Sequence, residues 1–179
     1  KALHAPSPEL LGDGVSLTVA RTRRNLPAAL SPQIKSTNFL NNILAKRESI
    51  AAGTFDSLFL NWRDELTECT ISNLFFVADG TVHTPALDCG ILDGITRGIV
   101  MTLAEEEGLP VQEGYYHLTH LHKAEECFLT NTSMEVMPVS RVETFTIGDG
   151  RPGPVTRRLQ KRFAASRTRF CEVAPEPNF

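Results

Sequence analysis

No stretch of this chain approaches the ~20 consecutive apolar residues that a membrane-spanning helix needs, so no helical span is expected in it. Neither sign of charge dominates. The 18 Lys and Arg residues stand against 21 Asp and Glu, and a net charge of −3 leaves no electrostatic footprint for nucleic acid or an anionic membrane surface. Cysteine is scarce: Cys69, Cys89, Cys127 and Cys171 lie far apart with no C-x-x-C pair. A disulfide framework and a zinc ribbon are both unsupported by that spacing, and reduced thiols in a cytoplasmic protein are the expectation. There is no internal repeat and no visible signal peptide. The chain starts Lys1-Ala2-Leu3 without a methionine, as a fragment would, so the missing signal weighs little. His117, His120 and His122 form an H-x-x-H-x-H cluster without an acidic or cysteine partner at ligand spacing, and no metal is expected there.

What is present is ordinary globular material. The 179 residues are 41% hydrophobic and 22% charged, enough for one sizeable core. Val15 to Ala20 alternates at period two and predicts a strand; Arg21, Arg23 and Arg24 after it read as a solvated turn, with contact to an anion as the alternative. A helix is predicted from Ser36, with Ser36 or Thr37 as N-cap. Phe39, Leu40, Ile43, Leu44, Arg47 and Ile50 would form its periodic face, and Gly53 its C-terminal stop. Short strands follow at Ser57–Asn61, Leu66–Ile71, Asn73–Ala78 and Thr81–Pro85, the last two joined by an Asp79-Gly80 hairpin turn. A helix from Gly94 to about Gly108 and a strand from Val111 to Leu118 come next, then a helical turn at Leu121–Ala124. Cys127–Thr130, Glu135–Val139 and Val142–Ile147 read as strands, Val155 to about Arg167 as a helix, and the Pro- and Glu-rich end after Cys171 as a frayed tail. Strands in a run with helices packed on them predict an α+β fold.

Chemistry gathers at a few points of this pattern. Lys35 stands where the chain turns from extended to helical, a position where a lysine is ordinarily solvated charge. Gly94-Ile95-Thr96 opens a helix, so backbone N–H groups and a hydroxyl converge as an anion site or as a plain cap. Asn131-Thr132-Ser133 offers more donors after a strand. Glu68 lies between two apolar strands and, half-buried, needs a cationic partner, which an ordinary arginine would satisfy. Lysine, buried carboxylate and helix-start phosphate site together meet the demands of pyridoxal phosphate: an amine for the Schiff base, a partner for the ring nitrogen and a seat for the phosphate.

Five stretches carry a family resemblance: IKSTNFLNNILAKRE (34–48), LTECTISNLFFVADGTVHTP (66–85), LDGITRG (92–98), CFLTNTSMEVMPV (127–139) and IGDGRPGPVTRRLQ (147–160). In this order and spacing the chain, from about Ile34 to Phe163, resembles the larger C-terminal domain of the fold-type IV pyridoxal-phosphate enzymes. That family includes D-amino acid aminotransferase, branched-chain aminotransferase and 4-amino-4-deoxychorismate lyase. The resemblance implies a barrel-like sheet of mixed strands with packed helices, with 1–30 as a lead-in from a small N-terminal domain absent from this chain, 31–170 as the cofactor domain and 171–179 as a tail. It implies Lys35 as the Schiff-base lysine and acid/base catalyst, and Glu68 as partner of the pyridine nitrogen. Leu92 would lie against the ring, Ile95, Thr96 and Thr132 would hold the phosphate with Asn131 beside them, and Ser133 and Met134 would meet the substrate. Amino transfer between an amino acid and a keto acid is the activity implied, in a homodimer. Pyruvate elimination giving 4-aminobenzoate is the alternative on the same scaffold. A non-catalytic domain keeping the scaffold is a third reading, but it predicts loss of the lysine or the glutamate, and both are present. Cys69 departs from the family, where glycine commonly follows the glutamate.

Overall fold

A computed structural model describes residues 6–170. The tail reading after Cys171 lies outside these residues. Asn73–Ala78 is apolar on both faces because both are covered. Leu74 and Phe76 enter one core with Leu17, Leu129 and Met137, whereas Phe75 and Val77 enter a second core with Val100, Leu103 and Leu159. A strand buried on both sides reads as a continuous hydrophobic run rather than an alternating one. Phe75 stacks on Phe128 across the strand pair, ring centroids 5.1 Å apart.

Six strands close into a ring. In spatial order they are β3 (Leu66–Cys69), β2 (Asp56–Leu60), β1 (Val15–Val19), β8 (Glu135–Val142), β7 (Glu126–Asn131) and β4 (Asn73–Ala78), with β3 pairing back onto β4 at Glu68 and Asn73. β1 runs parallel to both neighbours; the remaining ring pairs are antiparallel. β5 (Thr81–Pro85) and β6 (Val111–Gly114) extend the sheet from β4, and β9 (Phe145–Thr146) folds back on β8. β4 therefore has three partner strands: β3, β5 and β7. Parallel neighbours demand crossover connections, usually helical. α2 (Leu40–Ala52) is the crossover from β1 to β2 and α3 (Ile95–Glu106) that from β5 to β6. α5 (Pro154–Ser166) packs beside α3; the Glu126 carboxylate caps it by accepting from Val155 N at 2.9 Å and Thr156 N at 2.7 Å. No helix among the described residues is long and apolar enough to cross a membrane.

The structure corrects several local expectations. α1 (Pro8–Asp13) precedes β1, capped by Ser7, where no helix was expected. α2 starts at Leu40, with Phe39 as its N-cap, rather than at Ser36 or Thr37. The Ser36 hydroxyl accepts from Asn38 N at 3.3 Å instead, a local turn of the kind serine offers in competition with helix. The face of α2 is also reversed. Asn42, Ala45 and Ser49 are buried against the sheet, while Leu40, Ile43, Leu44 and Ile50 are exposed. Small side chains let the helix lie close, and Ser57 Oγ donates to Ala45 O at 2.7 Å. β6 ends at Gly114 because the chain turns inward there, bringing Tyr116 edge-on to Phe76. The following helical turn is α4 (Leu118–Leu121), three residues early, set by His117 N donating to His120 Nδ1 at 3.0 Å. β8 runs unbroken through Ser140 and Arg141 because β1 pairs with it there.

Candidate active site

Both crossover loops open on one cavity of about 440 Å³, floored by the β3–β4 turn and the end of β7. Lys35, Glu68, Leu92, Ile95, Thr96, Asn131 and Thr132 all line it. Lys35 is exposed in the loop five residues ahead of α2, and its charge favours the ionised form of Glu68.

Glu68 is buried at the seam where β3 meets β4, at 4% exposure. Its Oε1 accepts from Arg24 at 2.5 Å; its Oε2 accepts from Leu92 N at 3.1 Å and Asn73 Nδ2 at 3.2 Å. Burial pushes the Glu68 carboxyl up to about 7, against the opposing pull of the Arg24 charge, the Leu92 N–H and Lys35. Arg24 corrects the solvated-turn reading of the arginine cluster. It is 8% exposed, lies over the Phe59 ring, and donates to Gly90 O, Asn41 Oδ1 and Asn42 Oδ1 as well. Arg21 and Arg23 stay at the surface. Arg24 and Asn73 are the site residues that the sequence reading missed. Glu68's need for a cation was the available signal; it named the residue type without the position.

Gly94 caps α3 with backbone alone, so the amides of the first turn are free toward the cavity, and Thr96 is buried beside them. A Cβ on Gly94 would collide with Asn73 Oδ1. Asn73 is locked there because its Nδ2 also donates to Leu92 O at 2.8 Å. Ser133 and Met134, by contrast, are not among the residues lining the cavity. Asn131 Oδ1 accepts from Ser133 N at 2.9 Å and Met134 N at 2.7 Å, and Asn131 Nδ2 donates to Ile71 O at 3.1 Å. Asn131 thus ties the β7–β8 turn to the β3–β4 turn. Among the described residues no group of three or more His, Cys, Asp or Glu side chains is arranged to hold a metal ion.

The arrangement brings an amine, a buried carboxylate with its arginine and a helix N-terminus to one space. The chain is similar to known proteins in sequence and in fold. Residues 2–142 match the family described as Amino-transferase class IV. The chain is 37% identical over 138 residues to the D-alanine aminotransferase of Listeria monocytogenes, covering 77% of this chain and 47% of that protein. It superposes on the branched-chain amino acid aminotransferase of Escherichia coli with a TM-score of 0.85 at 31% identity, covering 93% of this chain and 56% of that one. A second branched-chain amino acid aminotransferase, that of T.th., solved with pyridoxamine 5'-phosphate, gives 0.87 at 32% identity, covering 93% and 54%. The chain spans about half the length of the relatives it matches.

Proposed function

Because the chain belongs to the class IV aminotransferase family, we propose that it transfers an amino group between an amino acid and a keto acid, with Lys35 as the working amine. Pyridoxal phosphate is the cofactor of that family, and the residues present fit it. One observation carries the reading: a single cavity holds Lys35, the Arg24-backed Glu68 and the bare amides at the head of α3. When bound, the cofactor supplies an aldehyde that condenses with amines and a ring that accepts an electron pair. Lys35 Nζ is the group that takes the proton from the substrate Cα and returns it on the far side of the transfer. Glu68 would hold the proton of the ring nitrogen, and Arg24 keeps its carboxylate oriented. The first-turn amides of α3, with the Thr96 and Thr132 hydroxyls, would neutralise the phosphate. Asn73 and Leu92 fix Glu68 from the opposite side, so the carboxylate has no freedom to swing out.

The test is amino transfer in the full-length protein. Amino-acid-dependent conversion of an added keto acid, lost at least a thousandfold in Lys35→Ala, is the expected result. Pyruvate release from aminodeoxychorismate without a keto acid would overturn it in favour of the lyase. We place the protein in the cytoplasm on the strength of its free, buried thiols at Cys69, Cys89 and Cys127. We further infer a homodimer, supported by the exposed apolar face of α2.

A further inference from the structure

Two fully buried threonines of this sheet pair their hydroxyls with a carbonyl on the neighbouring strand. Thr84 Oγ1 donates to Leu74 O at 2.8 Å, and Thr67 Oγ1 to Phe59 O at 3.1 Å. Thr130 differs from both. It is 1% exposed, and its Oγ1 has no hydrogen-bond partner. A buried hydroxyl left so is costly and rare enough to need a reason.

Its surroundings supply one. Glu68 is the register partner of Asn73, and Asn73 of Thr130, so the three form a row across β3, β4 and β7 with side chains on one face. Asn73 in that row reaches Leu92 O and meets Gly94, which places the face beneath the head of α3. Thr130 lines the same cavity as Thr96 and precedes the Asn131-Thr132 turn. Rotation about χ1 redirects the hydroxyl without moving the backbone.

We propose that Thr130 Oγ1 is a phosphate-binding hydroxyl, unpaired in the free protein and paired when an anion sits at the head of α3. The inference rests on the cofactor reading above. It also separates two quantities that usually change together. The hydroxyl destabilises the free protein and strengthens the complex, so its removal should raise stability and lower affinity.

Thr156 provides the control, since its Oγ1 is also buried without a partner but lies at the start of α5, outside the cavity. In the full-length protein, Thr130→Val and Thr156→Val should both raise the melting temperature of cofactor-free protein, by about 2–4 °C. Only Thr130→Val should weaken binding of pyridoxal phosphate and of inorganic phosphate, by about tenfold, read by absorbance titration and calorimetry. Thr130→Ser, which keeps the hydroxyl and drops the methyl, should bind within about twofold of wild type; it also decides the matter if the valine variant fails to fold. Unchanged affinity in Thr130→Val, a lowered melting point of its free form, or an equal loss in Thr130→Ser would each overturn the proposal while wild-type binding leaves the cofactor reading intact. Wild-type protein that binds neither probe would overturn both.

Discussion

Glu68 has two opposed effects on its surroundings, and pH separates them. Its unfolded-state carboxyl titrates near 4.5 and its native one at about 7, raised chiefly by burial. Below pH 4.5 both states are protonated and Glu68 contributes no difference. Between 4.5 and 7 the native state holds the extra proton, so stability falls as pH rises through that window, by ~3 kcal/mol in all. Denaturant titrations of the cofactor-free protein across this range should show the decline, and Glu68→Gln should flatten it. Arg24 is the counterweight. Arg24→Met leaves a buried carboxylate without its cation, and a loss of about 3–5 kcal/mol is expected in urea melts at pH 8, where the carboxylate is charged. The same variant at pH 5 should lose less, because a protonated Glu68 does not need the guanidinium.

At the level of the helices, Gly94 and Glu126 show how two N-termini are finished differently. Glu126 caps α5 from the sheet, and Glu126→Ala should cost about 1–2 kcal/mol in thermal or chemical unfolding with no effect on ligand affinity. Gly94 leaves α3 uncapped by any side chain. Gly94→Ala forces Asn73 aside and should weaken phosphate binding in calorimetry by more than tenfold. The contrast bears on what the sequence discloses. Gly94-Ile95-Thr96, the Asp79-Gly80 turn with φ of 50° and 71°, and the apolar run at Asn73–Ala78 were legible because each is specified by its own residues. The start of α2 was not, since Ser36 satisfies its neighbours equally well in a turn. The apolar stripe of α2 was legible as a stripe, but which way it faces depends on whether Ala45 and Ser49 can approach a sheet that the local sequence does not contain. Arg24 was hidden for the same reason. An arginine in a cluster of arginines looks solvated until β1 is laid between β2 and β8 and carries it inward.

Across the whole chain, the ring of six strands and the cavity share a wall. The seam between β3 and β4 closes the barrel, and it also carries Glu68 and Asn73. The exposed stripe of α2 lies on the flank of this unit; Ile43→Glu in the full-length protein should shift a homodimer toward monomer in light scattering, and unchanged mass would remove that inference. Because β4 is held by three strands and its first residue, Asn73, lines the cavity and holds Glu68, the cavity floor cannot open while the barrel stays shut. Backbone amides of Asn73–Ala78 should therefore exchange with deuterium only by global unfolding, and bound ligand should lengthen their lifetimes by the full factor of its mass-action stabilisation, one plus the ratio of free ligand to Kd. Loop amides around Lys35 should gain far less, so the strongest protection would appear in the sheet rather than in the loop that carries Lys35.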